Sequence, residues 1–262
     1  MQRSNLITHA HLLTRLYRTA RIFLHTIIGL IVASVVLPLV NIQQKRSIIK
    51  WWCGGLLRSF HIRVRTFGSL PPVNTQGVMF VANHVSWADI HALNSLIPLR
   101  FVAKSDIQHW PIFGYLVRKT NNTLFIDRSK RQQAGRIVDT VSDSLKAGDN
   151  LCYFPEGTTS EGTHILPFKS SVLQAAINAN TQIWPVAIKY VNTDGSINTE
   201  MAYAGETSMK DSMKMVIAQK SAIVELYFLP PIQAAGNDRR ALTDAAFQVI
   251  RAKLAYSTTT TS

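Results

Sequence analysis

The stretch VANHVSWADI, residues 81–90, places a histidine and an aspartate five positions apart at the end of an apolar run. The letters GVMFVAN lead into it and indicate a strand that ends in a loop, so His84 stands where the strand stops. Asp89 opens the next apolar segment, where we expect it to cap a helix. The stretch therefore predicts a strand-to-helix corner that carries two ionisable side chains.

These two side chains have the chemistry of a general base and its orienting group. A neutral imidazole accepts a proton near pH 7, and a neighbouring carboxylate fixes the tautomer of the ring and stabilises the imidazolium that forms. The alternative is that His84 is an ordinary loop histidine and Asp89 only a helix cap. The pair by itself does not decide between these interpretations.

On both sides of the corner the chain alternates between predicted strands and predicted helices. The predicted strands are HIRVRTF, GVMFVA, RFVAK, NNTLFIDR, NLCYF, QIWPVAIKY and AIVELYFL. The predicted helices are IHALNSLI, PIFGYLVRK, a segment capped by Ser129 that runs through Lys146, SVLQAAINA, and a last helix from Asp238 to about Tyr256. This alternation predicts an α/β fold.

The N-terminal part of the chain is apolar in a different way. Residues 22–40 are uncharged and as a helix would be roughly 28 Å long, close to the thickness of a bilayer core. The run is long and starts late for a signal peptide, so we expect an anchor, which could span the membrane, re-enter it or lie in the interface. SIIKWWCGGLLRSF follows, either as an amphipathic piece with Trp51 and Trp52 at the headgroups or as a core helix.

Length divides the chain into three expected regions. With 262 residues it is long enough for one large domain and an appendage. We expect an N-terminal membrane-binding helical segment over residues 1–60 and the α/β domain over residues 61–256. The polar tail, residues 257–262, is too polar to fold.

The charge of the chain calls for an anionic partner. It has 28 Lys and Arg against 15 Asp and Glu, which gives a net charge of +13. Asp89 is the first acidic residue, and the cations that precede it flank the apolar run. That arrangement favours an anionic membrane surface over nucleic acid, which would need cations interleaved with aromatics along a folded face.

Cysteine usage gives no sign of a disulfide framework or a metal site. Cys53 and Cys152 are the two cysteines, and neither lies in a CxxC or Cys/His ligand cluster. Cys152 sits in the apolar run LCYF, where a small buried residue is the simplest interpretation. We therefore expect no metal.

Three further stretches lie at predicted strand ends, where open α/β sheets hold their ligands. LFIDR delivers Arg128, either a phosphate-binding fork or a surface cation. FPEGTTSEGT exposes backbone N–H groups beside Glu156, Thr158 and Thr159, either as an oxyanion-binding loop or as an ordinary turn. In IWPVAI, Pro185 indicates a bulge or an edge strand.

In this order, HVSWAD, LFIDR, FPEGT and WPVAI resemble the four sequence blocks of the glycerophospholipid acyltransferase family. The resemblance covers about residues 60–230. It implies a central mixed sheet flanked by helices. It also implies transfer of an acyl group from an acyl-CoA or acyl carrier protein thioester to a lysolipid hydroxyl, most often that of 1-acyl-glycerol-3-phosphate, without a cofactor. No GxSxG nucleophile elbow is present, which favours direct transfer without an acyl-enzyme.

Carried over onto this chain, the resemblance makes His84 the base and Asp89 its orienting group. It assigns the acceptor site to five further residues, with Arg128 on the phosphate: Lys104, Arg128, Glu156, Gly157 and Thr158. It also implies an enzyme on the inner, cytoplasmic membrane whose catalytic domain faces the cytoplasm.

Two departures from the family pattern bear on the acceptor. A glycine that often precedes the second block is absent from NNTLFIDR, and Ser171 stands where a glycine is expected after FK. Lyso-ornithine lipid acyltransferases share the same blocks, so a lysolipid without a phosphate is the main alternative acceptor. A lipid-binding protein that had lost activity is the alternative from another class of function.

Overall fold

The computed structural model describes residues 10–110, 112–126 and 134–254 of the chain. Eight strands are found within these ranges: β1 (Ile62–Gly68), β2 (Met79–Ala82), β3 (Arg100–Lys104), β4 (Thr123–Ile126), β5 (Leu151–Tyr153), β6 (Gln182–Val191), β7 (Ala222–Phe228) and β8 (Ile232–Gln233). They form one sheet in the order β1-β7-β6-β2-β5-β3-β4, with β8 also paired to β6.

The sheet is mixed, as the resemblance implies. Strands β6, β2, β5, β3 and β4 run parallel to one another, whereas β7 and β8 are antiparallel to β6. The carboxyl ends of the five parallel strands therefore meet at one edge, and ligand groups in open α/β sheets gather at such an edge. His84 follows β2 at this edge.

Helices cover both faces of the sheet. The α-helices are α1 (Leu12–Ile31), α2 (Ile42–Ser59), α3 (Ala88–Asn94), α4 (Phe113–Thr120), α5 (Ala134–Lys146), α6 (Gln174–Asn178), α7 (Met209–Ala218) and α8 (Arg239–Leu254). Because side chains alternate along a strand, Phe80 and Ala82 of β2 join a core with α2, α3 and α7. Met79 and Val81 join a second core with α5, α6 and α8.

Several predicted elements differ from those observed. Helix α7, a short helix in a polar region, is not among the helices that the sequence predicts. The predicted start at Ser129 lies outside the described residues, and the described part of that helix begins at Ala134. Pro185 is not at an edge, because β6 lies inside the sheet. It stands where the neighbour of β6 changes from β8 to β7, and its carbonyl accepts from the Leu229 N–H.

The N-terminal hairpin, residues 12–59, consists of α1 and α2. A π turn (Val32–Val36) and a 3-10 turn (Leu37–Leu39) prolong α1, and together they make a helix of 28 residues that is long and apolar enough to cross a membrane by length and composition. Asn41 then starts α2 with a capping box, in which its side chain accepts from the Gln44 N–H.

Helix α2 belongs to the core of the α/β domain as well as to the hairpin. Leu56 and Leu57 are buried in the same cluster as β2. Trp51 is 52% exposed, whereas Trp52 is packed inward, stacks on His25 and donates a hydrogen bond from its indole N–H to the His25 carbonyl. Of the two predicted headgroup anchors, the structure therefore leaves only Trp51 on the surface.

Candidate active site

The corner, residues 83–89, connects β2 to α3 and holds the predicted pair. Asn83 fixes its start, because the Asn83 side chain donates to the Ile188 carbonyl at 2.9 Å and accepts from the Ile188 N–H at 2.7 Å. These two bonds replace strand pairing at the position where β2 turns away from β6. Ser160 supports the corner from outside, since its backbone N–H donates to the His84 carbonyl at 2.8 Å.

The structure brings His84 and Asp89 together. The distance from Nδ1 of His84 to Oδ2 of Asp89 is 2.8 Å. A carboxylate accepts and does not donate, so Nδ1 carries the proton and Nε2 of the neutral ring keeps its lone pair. Nε2 has no hydrogen-bond partner within the described ranges, and the His84 side chain is 18% exposed. The ring is therefore oriented as a base whose free nitrogen a ligand can reach.

Asp89 is not the helix cap that the sequence predicts. The N-cap of α3 is Trp87, and Asp89 lies inside the first turn of the helix. Its Oδ2 points back into the corner and accepts from the backbone N–H groups of Val85 and Ser86 at 2.8 and 2.9 Å. The prediction failed because the loop before α3 folds over the carboxylate. The carboxylate therefore accepts from two N–H groups of that loop instead of capping the helix.

One phenol on β6 completes the surroundings of Asp89. The Tyr190 hydroxyl donates to Oδ1 of Asp89 at 2.6 Å, and both residues are buried. Burial, and next the charge of Asp89, raise the pKa of Tyr190 well above its ordinary value, so the hydroxyl stays protonated and donates. With this bond, both oxygens of the fully buried Asp89 carboxylate have donors.

Phe154 forms the wall behind the histidine. Its ring stacks on the His84 ring with 3.9 Å between the centroids and an interplanar angle of 11°. Phe154 directly follows β5, the neighbour of β2, which explains why the two side chains meet. The stacked ring restricts the imidazole to one plane and keeps water off one of its faces.

Glu156 lies beneath the corner and braces it. Oε1 accepts from the His84 N–H at 2.6 Å and Oε2 from the Leu166 N–H at 2.9 Å, and the residue is buried. Burial raises the pKa of Glu156 to about 7, against the two N–H donors, which favour the charged form. This carboxylate ties the backbone of His84 to the loop after β5.

The other predicted acceptor-site residues are placed to different extents. Gly157 has φ +73°, a conformation that favours glycine, and Thr158 beside it is exposed at the same sheet edge. The backbone of Lys104 ends β3 at this edge, but its side chain lies outside the described part of the structure. Arg128 lies outside the described residues, two positions beyond the end of β4.

An apolar cavity of about 100 Å³ lies between the hairpin and the sheet. Ala33 from the π turn, Val117 from α4 and Phe101 from β3 are part of its lining. Two titratable side chains, Cys53 and His91, also line it, with 3.6 Å between Sγ and Nδ1. Burial raises the pKa of Cys53 to about 12 and lowers that of His91 to about 4, so both are neutral.

The cavity approaches the histidine through two stacked rings. Phe101 on its wall stacks on Phe154 with 6.1 Å between the centroids, and Phe154 stacks on His84. Among the described side chains, no group of three His, Cys, Asp or Glu residues could hold a metal ion. The expectation that no metal is used stays a prediction.

Residues 61–189 match the family model described as Acyltransferase. The lyso-ornithine lipid O-acyltransferase of Pseudomonas aeruginosa is 32% identical over 91% of this chain and 93% of its own length. The 1-acyl-sn-glycerol-3-phosphate acyltransferase of Neisseria gonorrhoeae is 34% identical over 72% of this chain and 73% of its own length.

A solved structure shows the same fold. The 1-acyl-sn-glycerophosphate acyltransferase PlsC from Thermotoga maritima superimposes with a TM-score of 0.62 at 20% identity, over 90% of this chain and 96% of that chain. The fold, the corner and these relatives define the chain as an acyltransferase. It belongs to the glycerophospholipid acyltransferase family, as the resemblance implied.

The sequence missed the residues that surround the pair. Tyr190 and Phe154 contact Asp89 and His84 from other strands, and no local pattern marks them. Asn83, directly before the histidine, is not among the site residues that the sequence predicts. A polar side chain at the end of a buried strand is the one signal that could have drawn attention to it.

Proposed function

We propose that the protein transfers an acyl group from a thioester, acyl-CoA or acyl carrier protein, to the free hydroxyl of a lysolipid, with 1-acyl-glycerol-3-phosphate as the first candidate acceptor. The observation that supports this most directly is the 2.8 Å bond from His84 to the fully buried Asp89, which leaves Nε2 free. The proposed reaction needs a base, a place for a developing oxyanion and an apolar slot, and it needs no cofactor.

In the proposed mechanism His84 moves one proton twice. Nε2 takes the proton of the acceptor hydroxyl while the hydroxyl oxygen attacks the thioester carbonyl carbon. The tetrahedral intermediate collapses, the carbon–sulfur bond breaks, and the imidazolium returns its proton to the departing thiolate. Asp89 stabilises the imidazolium between the two transfers, so the enzyme ends in its starting state.

The apolar cavity is the proposed binding site for the acyl chain. Its wall is two rings away from His84, and the side chains that line it from the π turn and from α4 are mainly apolar. Ala33 is buried there, so Ala33→Leu should fill part of the volume. We expect this variant to favour shorter acyl donors in a competition among chain lengths, with turnover of short donors retained. An unchanged chain-length profile would place the acyl chain elsewhere.

The exposed apolar face of α1 supports the proposal that the enzyme is bound to a membrane. Leu13, Phe23 and Leu24 are each more than half exposed on this helix. The net charge of +13 favours an anionic membrane surface. We place the protein at the inner membrane, with the corner on the cytoplasmic side, where thioester donors are made.

Arg128 provides the test that separates the two acceptor classes. A charge-assisted bond to a phosphate contributes about 1.5 to 3 kcal/mol, so Arg128→Ala should raise the KM for lysophosphatidic acid by roughly 10- to 150-fold. Arg128→Lys should recover part of this, because lysine keeps the charge and loses the planar fork. The KM of the thioester donor should change little.

The matched control is Arg136→Ala, which removes an exposed arginine from α5. An unchanged KM for lysophosphatidic acid in Arg128→Ala would show that Arg128 does not bind the acceptor phosphate. The second candidate acceptor is a lyso-ornithine lipid, favoured by the relative from Pseudomonas aeruginosa that matches 91% of this chain. Its head group offers a carboxylate and an ammonium, so the same substitution should then have a smaller or different effect.

A further inference from the structure

The environment of Asp89 contains one side-chain donor that the proposed mechanism does not use. Tyr190 lies near the carboxyl end of β6, and its hydroxyl is 2.6 Å from Oδ1 of Asp89. The residue is 2% exposed, it pairs with Val224 of β7, and its carbonyl accepts from the Asn198 N–H. The phenol is therefore held in place by the sheet.

The two oxygens of Asp89 have different tasks. Oδ2 accepts from Nδ1 of His84 and from the N–H groups of Val85 and Ser86. Oδ1 accepts from Tyr190, so the phenol fixes the rotation of the carboxylate about its terminal torsion. A carboxylate held at both oxygens presents Oδ2 to the imidazole in one orientation.

The same bond reduces the basicity of the carboxylate. A donor on Oδ1 withdraws charge from Oδ2, and in a dry site this effect is larger than in water. Asp89 then orients the imidazole and stabilises the imidazolium that forms during proton transfer. The Ser86 side chain acts to lower the pKa of the Tyr190 phenol, which strengthens the phenol as a donor.

We propose that Tyr190 is a positioning residue that sets the orientation and the basicity of Asp89, and through Asp89 the protonation of His84. The proposal rests on the proposed role of His84 as the base. The groups that face Asp89 are His84 and Ser86 from the corner, Tyr190 from β6, the Cys152 thiol from β5 and Glu156 from the following loop. Cys152 stays neutral, because burial and then Asp89 raise its pKa.

Tyr190→Phe removes the hydroxyl and keeps the ring in the core. We expect kcat to fall by roughly 10- to 100-fold, while the KM of the acceptor and of the donor changes less than about twofold. The acid limb of the pH–rate profile should move to higher pH by about half to one unit, because Asp89 without this donor holds the imidazolium more strongly. Loss of packing alone would lower activity without moving that limb.

The chain contains a matched control with the same chemistry. The Tyr227 hydroxyl donates to Oε2 of Glu225 at 2.7 Å, on β7 and away from the corner. Tyr227→Phe should leave kcat and the pH–rate profile unchanged. Circular dichroism and melting temperature of both variants establish that each is folded.

Fluorinated tyrosine incorporated at position 190 tests the same idea without loss of the hydroxyl. A more acidic phenol is a stronger donor, so the acid limb should move to lower pH as fluorine is added, opposite to the shift in Tyr190→Phe. In an Asp89→Asn background, Tyr190→Phe should add less than about a twofold loss, because the two residues act together.

The outcomes separate the failure of this inference from that of the proposed function. If wild type transfers no acyl group, or if folded His84→Ala keeps wild-type turnover, the proposed function fails. If wild type is active and depends on His84, yet Tyr190→Phe leaves the acid limb and kcat unmoved, the role of Tyr190 is wrong. A full additional loss in the Asp89→Asn background would likewise overturn action through Asp89.

Discussion

The corner and the N-terminal hairpin differ in whether the protein itself supplies partners for their side chains. At the corner, Asp89 is completely buried and both of its oxygens have donors from within the protein. On the hairpin, Leu13 is 80% exposed and Phe23 is 68% exposed, with no apolar cover from the described residues. The polar site is therefore organised in advance by the fold, whereas the apolar helix face depends on a partner from outside.

Arg18 connects these two regions. It lies on α1, is 2% exposed, and donates to the carbonyls of Ile217, Gln219 and Lys220 at the end of α7. The Gln219 side chain accepts from Asn198, whose backbone N–H donates to the Tyr190 carbonyl. The hairpin is thus fixed to the part of the sheet that supports Asp89.

The largest expected effect is at the corner. His84→Ala should lower acyl transfer by about 10² to 10⁴, because it removes the base, and Asp89→Asn should be nearly as damaging. The measurement is mass spectrometry of the products from purified protein in detergent, long-chain acyl-CoA and a panel of lysolipids. His164→Ala, an exposed histidine in the loop after β5, is the control and should keep wild-type activity.

His84→Ala should leave membrane association unchanged, because the corner and the hairpin have separate roles. Near-wild-type turnover in a folded His84→Ala protein would show that His84 is not the general base. Weak membrane association in this variant would instead show that the corner and the hairpin are not independent.

The second effect is on the hairpin. Replacing Leu13, Phe23 and Leu24 together by Gln should reduce binding to anionic vesicles by at least about 100-fold, because each apolar side chain contributes about 1.5 to 3 kcal/mol when it is fully buried. Vesicle sedimentation measures the bound fraction. Val249→Gln, on the exposed side of α8, is the control. If the triple variant still sediments like wild type, the exposed face of α1 is not the membrane contact.

Substitution is a cleaner test here than truncation. Leu56 and Leu57 of α2 lie in the same core as the sheet, so a cut at residue 60 would expose that core. Insolubility of such a shortened chain would then report on folding as well as on the membrane.

The smallest expected effect concerns Glu156 and pH. Its pKa is about 7 in the folded protein, above the ordinary 4.5, so the folded state holds this proton more tightly than the unfolded chain. The stabilisation is complete below about pH 4.5 and is lost as pH rises through about 7. We expect the free energy of unfolding of wild type, relative to Glu156→Gln, to fall by about 2 kcal/mol between pH 5 and pH 8.

Melting temperatures of both proteins across this pH range provide the measurement. Glu156→Gln should be the less stable protein at pH 5. The amide of glutamine has one acceptor oxygen and its NH2 group only donates, so either the His84 or the Leu166 N–H group would lose its acceptor. A difference in stability that does not change with pH would contradict the assignment of this pKa to Glu156.

Local patterns in the sequence determined the parts of this protein that depend on neighbours in the chain. The period of two in HIRVRTF and the short apolar run GVMFVA predicted β1 and β2, and the spacing of His84 and Asp89 predicted the pair. The two strands are confirmed and the two side chains are in contact, because side-chain periodicity and a loop of a few residues are local features of the chain. The catalytic role of the pair stays a prediction. The order of the four blocks similarly indicated the family.

Only the tertiary structure decided what surrounds that pair. Tyr190 stands 101 positions after Asp89, and the two meet because β6 pairs with β2. Trp52 faces inward because α2 packs on the sheet, although its own sequence allows an interfacial position as well. Which residues share a buried site is set by strand order and helix packing, and these are decided by the burial of the whole apolar core, to which no short stretch of sequence corresponds.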